Sequence, residues 1–286
     1  MPPDWSRWSW QSISRGAHRH SERSEESEIL RGAQNDAGKA PLRNIRVTVE
    51  YDGTDFCGFQ YQPGVPTIQG ELERVISRIV KEEVTVYGSG RTDAGVHAAG
   101  QVVNFRTGGS IPVNKLCIAM NSLLPPSIAA VAATEVDEAF HARYSAKSRL
   151  YRYDILNRET RSAIEGRFCW HVRWPLDVDA MDEAAQCLLG VHDFTSFASA
   201  DRDDEGSPVR NVSEIDVRRA GEHVVLTIRA NAFLRSMVRA IVGTLVEVGL
   251  GKRPRSEIRE VLDARDRARA GKTAPPQGLC LVEVEY

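Results

Sequence analysis

The stretch that decides the fold is GSGRTDAGVHAAGQVVNF, residues 88–105. It joins two predicted strands, Val84–Tyr87 and Gln101–Phe105. Its four glycines permit left-handed backbone and let another molecule approach closely. A loop of this kind between two strands presents Asp93 on a rigid support, which is how binding and catalytic side chains are usually displayed.

Three other interpretations of Asp93 must be considered. Its carboxylate could cap a backbone N–H in a turn, and the sequence leaves this alternative open. Asp93, His97 and His141 could bind iron or zinc, but Gly95 disfavours the helix that would place Asp93 and His97 on one face. A phosphate-binding loop is disfavoured because the Gly-Lys-Ser/Thr ending is absent.

Hydrophobic periodicity predicts a β-α-β-β-α-β order in the first half, which is the ferredoxin-like arrangement. Thr67 provides an N-cap signal before the first helix. The predicted elements are strands Val47–Tyr51, Val84–Tyr87, Gln101–Phe105 and Ile128–Val136, and helices Ile68–Ile79 and Pro112–Leu123.

The second half repeats this order with additions. Its predicted elements are strands Ser148–Leu156, Arg210–Val217, His223–Ala230 and Leu279–Tyr286, helices Asp177–Leu189 and Phe233–Leu250, and a further helix after Ser256. We therefore expect an α+β protein with two ferredoxin-like (RRM-like) α/β halves whose sheets meet around a central cleft. The expected boundaries are 1–43 for a disordered N-terminal extension, 44–146 for the half with the Asp93 loop, and 147–286 for the other half.

Composition narrows the class of protein. The apolar content of 42% suits a substantial core, and no apolar run reaches the ~18 residues of a membrane span. Five scattered cysteines without a C-x-x-C pair indicate reduced thiols, hence a cytoplasmic protein. The extension is rich in charge and lacks an apolar face.

The net charge of −2 does not by itself indicate nucleic-acid binding, so a local basic cluster would have to provide it. One stretch interleaves basic and aromatic residues, which phosphate contacts and base stacking require. The alternative is a solvated strand face with tyrosines packed behind it. The stretch contains Arg143, Tyr144, Lys147, Arg149, Tyr151, Arg152 and Tyr153.

GRTDAGVH at 90–97, followed by GQVVNF at 100–105, resembles the active-site loop of the tRNA pseudouridine synthase A family. Other matches occur in the family's order and cover about residues 44–286. They are YDGTDFCGFQ (51–60), FHAR (140–143), YRY (151–153), DFTSF (193–197), NAF (231–233), MVR (237–239), IVG (241–243) and GL (278–279).

The resemblance implies isomerisation of uridine to pseudouridine, in which the C1′–N1 bond breaks and the base reattaches through C5. No redox step or added group is involved, so we expect neither cofactor nor metal. Asp93 is the implied nucleophile. Whether it attacks C1′ or C6, or removes a 2′ proton, stays open.

The resemblance also implies the substrate-binding residues. Tyr151 would stack on the flipped uracil, and its phenol is a candidate base for the C5 proton. Arg91 would fill the space that the base leaves or contact phosphate. Arg239 would pair with Asp93, with an ordinary helix-to-sheet ion pair as the alternative. Leu279 would pack beside the base, with core packing as the alternative. His97 is expected to brace the loop.

The implied substrate is the anticodon stem-loop of tRNA at positions 38, 39 and 40, and the implied assembly is a homodimer with no membrane association. The competing hypothesis is a non-catalytic RNA-binding or RNA-chaperone protein. Asp93, Arg91 and Tyr151 together favour the enzyme, because binding alone needs no carboxylate near phosphates. A metal hydrolase built on Asp93, His97 and His141 is a more distant alternative.

Overall fold

The computed structural model describes residues 42–199 and 206–286, which contain five α-helices and one ten-stranded, mostly antiparallel sheet. The predicted α+β class is confirmed. The strands are β1 (Arg43–Tyr51), β2 (Tyr87–Gly88), β3 (His97–Thr107), β4 (Ile128–Val136), β5 (Ser148–Leu156), β6 (Trp170–His171), β7 (Gly190–Asp193), β8 (Val209–Ala220), β9 (His223–Ala230) and β10 (Leu279–Glu285). The helices are α1 (Ile68–Val80), α2 (Val113–Asn121), α3 (Val178–Ala185), α4 (Met237–Gly249) and α5 (Glu257–Ala264).

The main path of the sheet runs β4-β1-β3-β10-β5-β9-β8-β7, with β2 paired to β3 and β6 paired to β5. The last strand, β10, connects the strands of the two predicted halves, because it pairs parallel with β3 and antiparallel with β5. Leu281 of β10 is aligned with Ala98 on one side and Tyr151 on the other. Strands from both predicted halves therefore belong to one continuous sheet, and Pro41–Tyr286 is one compact unit.

Helix α1 forms where the sequence predicts it. Thr67 accepts a hydrogen bond from the Gly70 N–H at 3.2 Å, which confirms it as the N-cap. The helix stops at Lys81, whose φ of 61° is left-handed. Its apolar stripe lies in the core and consists of Ile68, Leu72, Val75 and Ile76.

Helix α4 begins later than predicted. The apolar pattern predicts Phe233–Leu250, but the helix starts at Met237 because Ser236 has a left-handed φ of 59°. A left-handed residue cannot continue a right-handed helix. The first turn of α4 therefore starts abruptly after Ser236.

Two other predicted boundaries were wrong. The Val84–Tyr87 strand is shortened to β2, because the Val84 and Val86 N–H groups donate to side chains of α1 instead of to a neighbouring strand. The Asp177–Leu189 helix is α-helical only over α3 and ends in a 3₁₀ turn, Gln186–Leu188.

The predicted extension, 1–43, lies outside the described residues except for its last two, and Arg43 already belongs to β1. None of the helices in the described ranges combines the length and apolar character that membrane crossing requires.

Candidate active site

Residues 88–96, here called the Asp93 loop, are anchored to β3 by buried hydrogen bonds. Ser89 Oγ donates to Gln101 Oε1 at 2.6 Å, and Gln101 Nε2 donates to Gly90 O at 2.9 Å. Ser89 and Gln101 are both buried. One glutamine of β3 thus fixes the first part of the loop before it reaches Asp93.

The second part of the loop depends on glycine at two points. Gly95 has a φ of +76°, and a Cβ there would lie 3.0 Å from the Pro276 ring. A Cβ on Gly53 would lie 2.0 Å from Val96 O, closer than atoms can approach. The loop therefore packs tightly against the segment before β10 on one side and the segment after β1 on the other.

Asp93 is held through one carboxylate oxygen. Ser236 Oγ donates to Asp93 Oδ2 at 3.0 Å, and Arg239 Nη1 donates to the same oxygen at 2.6 Å. Arg239 is itself fixed, because its Nε donates to Ala274 O at 2.8 Å. Within the described chain no hydrogen bond reaches Asp93 Oδ1, and the side chain is 25% exposed. One oxygen is anchored and the other is available to react.

Tyr151 lies on β5 with 7% of its surface exposed. Its ring packs edge-on against Phe233, with centroids 5.0 Å apart and planes at 85°. Burial raises the pKa of the phenol well above its ordinary value, and the negative charge of Asp93 adds to the shift. Tyr151 therefore keeps its proton at neutral pH and lies close enough to Asp93 to sense its charge.

Arg91 and Leu279 differ in exposure. Arg91 is exposed on the loop, two residues before Asp93. Leu279 is buried and aligned with Tyr153 across β10 and β5. Residues two apart in a strand share a face, so Leu279 lies on the same face of the sheet as Tyr151. The structure thus brings Asp93 and Arg239 into contact, with Tyr151 and Leu279 beside each other on the sheet.

His97 contacts backbone rather than Asp93. Its Nδ1 accepts a hydrogen bond from the Gly53 N–H at 3.1 Å and lies 3.2 Å from Asp52 Oδ1. Its Nε2 lies 2.8 Å from Arg167 O, so that nitrogen is the donor. Burial lowers the pKa of the imidazole, and Asp52 opposes the shift. These contacts agree with a bracing role.

His141 is directed elsewhere. Its ring packs between Tyr87 and Tyr144, with centroids 5.0 and 4.5 Å away. Across residues 42–199 and 206–286, no three His, Cys, Asp or Glu side chains are grouped as a metal site would need. The metal-hydrolase alternative therefore lacks its ligand geometry there.

The predicted basic and aromatic stretch divides into a buried and an exposed part. Arg149 is buried and donates to Asn231 O at 2.6 Å, and Arg152 pairs with Asp154 at 2.7 Å. Tyr151 and Tyr153 are also buried and Arg152 is half-buried, so none of these four residues belongs to an exposed surface. The exposed members are Arg143, Tyr144 and Lys147.

Sequence reasoning missed Ser236. The available signal was its position three residues before Arg239, because the predicted helix Phe233–Leu250 would place the two side chains on neighbouring positions of one face. The signal is weak because the left-handed backbone that turns Ser236 toward Asp93 is set by tertiary packing.

A family model described as tRNA pseudouridine synthase matches residues 47–145 and 184–286. These two segments contain the Asp93 loop, the first turn of α4 and β10. The chain belongs to the tRNA pseudouridine synthase family, which is a family of isomerases. Membership supports isomerisation of uridine in tRNA.

Three curated relatives carry the printed name tRNA pseudouridine synthase A. The protein of Brevibacillus brevis is 51% identical over 245 residues, covering 86% of this chain and 100% of its own. That of Halalkalibacterium halodurans is 48% identical over 239 residues, covering 83% of this chain and 90% of its own. That of Thermoanaerobacter sp. is 45% identical over 245 residues, with 86% and 100% covered.

Proposed function

We propose that this protein converts uridine to pseudouridine at positions 38, 39 and 40 of the tRNA anticodon stem-loop, with Asp93 as the nucleophile. The observation that carries the proposal is the one-sided anchoring of Asp93 by Ser236 and Arg239. A nucleophile must be oriented and still have a free lone pair, and Oδ1 meets both conditions within the described chain.

In the proposed reaction, the C1′–N1 bond breaks while the Asp93 carboxylate bonds to the ribose or stabilises its developing positive charge. The detached uracil turns and bonds to C1′ through C5, and any bond between C1′ and the Asp93 carboxylate breaks as it does so, which regenerates the free carboxylate. The C5 proton is then lost and N1 gains one, so atoms and charge balance without any outside group. Tyr151 stacks on the base. Because its phenol is protonated, it can accept the C5 proton only while it releases its own proton, which replaces the proton that N1 gains.

The other site residues have supporting roles. Arg91, exposed on the loop, fills the gap that the flipped uridine leaves or binds its phosphate. Leu279 packs beside the base. Arg239 orients Asp93 through the guanidinium that Ala274 O also holds.

The proposal includes two ferredoxin-like halves, 44–146 and 147–286, which form a cleft at β10. Two strand orders support these halves, β4-β1-β3-β2 in the first and β10-β5-β9-β8 in the second. When the four strands of each half are renumbered 1 to 4 in chain order, both orders become 4-1-3-2, the ferredoxin-like order. A cytoplasmic homodimer is proposed because one subunit of near-neutral charge offers little basic surface to a tRNA.

The test is to incubate an unmodified tRNA transcript carrying uridine at 38–40 with the protein and to map pseudouridine by carbodiimide labelling and primer extension. Signal at 38, 39 or 40, absent with Asp93→Asn, is expected. Signal only elsewhere in the tRNA would refute the anticodon assignment. Tight binding with no pseudouridine at all would leave the non-catalytic RNA-binding protein as the better description.

A further inference from the structure

Tyr87, His141 and Tyr144 form a continuous set of packed rings on the surface, here called the Tyr144 stack. The centroid distances are 5.0 Å from Tyr87 to His141 and 4.5 Å from His141 to Tyr144. Exposure rises toward one end, with Tyr87 at 44% and Tyr144 at 77%. Most of the Tyr144 ring is thus accessible to solvent.

The middle ring is uncharged at neutral pH. His141 Nδ1 accepts a hydrogen bond from the Arg143 N–H at 3.1 Å, so this nitrogen carries no proton. Burial lowers the pKa of His141, and the charges of Arg143 and Arg106 lower it further. A neutral imidazole packs against both tyrosines, which holds Tyr144 in place as a platform.

Positive charge surrounds the platform. The Arg143 guanidinium carbon lies 5.7 Å from the centroid of the Tyr144 ring. Lys147 is exposed three residues after Tyr144 in the chain, and the exposed Arg106 is close enough to His141 to lower its pKa. An exposed aromatic ring with these cations near it suits a nucleobase and its phosphate, whereas an apolar protein partner would leave these charges desolvated.

The stack is joined directly to the Asp93 loop. Tyr87 immediately precedes Gly88, the first residue of the loop. Arg149 Nη2 donates both to Ser89 O and to Arg143 O, each at 2.8 Å. A single buried guanidinium nitrogen therefore ties the base of the Tyr144 stack to the loop that carries Asp93.

We propose that the Tyr144 stack binds an unstacked base of the tRNA, one that neighbours the uridine presented to Asp93. The inference rests on the proposed function. Flipping a uridine out of a stem or loop leaves its neighbours without a stacking partner on one side. Aromatic rings bind such bases through stacking, which is tolerant of sequence and is supplemented by nearby cations.

The experiment compares Tyr144→Ala, Tyr144→Phe and Trp174→Ala. Trp174 is the matched control because it too is exposed and has an arginine guanidinium, that of Arg173, 4.3 Å from its ring. Each variant is titrated with anticodon stem-loop RNA carrying 2-aminopurine next to the target uridine, and tRNA affinity is measured by filter binding at fixed salt. Melting temperatures confirm folding.

We expect Tyr144→Ala to lose 2-aminopurine quenching and to bind roughly tenfold more weakly. Tyr144→Phe and Trp174→Ala should stay within about twofold of the parent, because the first keeps the ring and the second lies elsewhere. Unchanged quenching in Tyr144→Ala would overturn the proposal, and so would equal losses in Tyr144→Phe or Trp174→Ala. If the parent protein forms no pseudouridine, the proposed function fails, and these fluorescence results still decide whether the stack binds a base.

Discussion

Arg239 and Asp93, 146 residues apart in the chain, meet through a hydrogen bond of 2.6 Å from Nη1 to Oδ2. The bond joins the first turn of α4 to the Asp93 loop. A charge-assisted bond between partly buried groups is stronger and more directional than a surface ion pair. It therefore fixes the orientation of the Asp93 carboxylate.

Replacement of Arg239 tests this orientation. Arg239→Lys keeps the charge but cannot donate to Asp93 Oδ2 and Ala274 O in the same geometry. We expect the single-turnover rate to fall roughly 10- to 100-fold in Arg239→Lys and further in Arg239→Met. Arg255→Met, which removes an exposed arginine paired with Glu183, is the control and should retain parent activity. Parent-like rates in both Arg239 variants would show that the pair does not orient Asp93.

Ser236 offers a way to separate activity from stability. Ser236→Ala and Ser236→Gly both remove the hydrogen bond to Asp93 Oδ2. Only glycine also removes the strain of the left-handed backbone at φ 59°. The free energy of unfolding of Ser236→Gly should therefore exceed that of Ser236→Ala by about 1 kcal/mol, which corresponds to a melting temperature higher by about 2–4 °C. Both variants should therefore lose activity to a similar degree, about tenfold, while the glycine variant melts higher. If activity instead follows melting temperature, Ser236 acts on folding and not on Asp93.

His97 predicts a pH dependence of stability. Burial holds the pKa of its imidazole below the ordinary value of 6.5. Below pH 6.5 the unfolded chain therefore takes up a proton that the folded protein does not, so the free energy of unfolding decreases as pH falls. Above that pH the contribution vanishes.

Urea denaturation of the parent and of His97→Gln at several pH values between about 7.5 and 5 measures this effect. The slope of unfolding free energy against pH should be smaller in the variant. An identical slope in both proteins would assign the pH dependence to other groups.

The sequence predicted the elements whose signals are local. Helix α1 follows from Thr67 and the spacing of its apolar residues, and β5 and β9 occur where their apolar runs place them. Helix α4 was predicted to start too early. The apolar pattern already includes Phe233 and Leu234, but the left-handed backbone at Ser236 prevents the helix from beginning before Met237. Hydrophobic periodicity reports burial and not φ.

The site was predictable only in part. The resemblance predicted that Arg239 pairs with Asp93, and the structure contains this ion pair. That Ser236 shares the same oxygen depends on a left-handed residue fixed by tertiary packing. Likewise, the sequence could not show which residues of the basic and aromatic stretch are buried and which are exposed. Arg149 is buried because it donates hydrogen bonds to carbonyl groups of residues 60 and 82 positions away in the chain.

The most direct test of Asp93 as the nucleophile is Asp93→Asn. The amide oxygen keeps the shape and can still accept from Ser236 and Arg239, but the group is a poor nucleophile and bears no negative charge to stabilise C1′. Because RNA affinity comes largely from phosphate contacts, removal of an anion should leave tRNA binding unchanged or slightly tighter.

The measurement is single-turnover tritium release from tRNA labelled at uridine C5, run beside filter binding of the same tRNA at fixed salt. For Asp93→Asn we predict affinity within about 1 kcal/mol of the parent and a rate lower by ~10⁴-fold or more. A variant that binds tRNA normally and releases tritium at near the parent rate would contradict the assignment of Asp93.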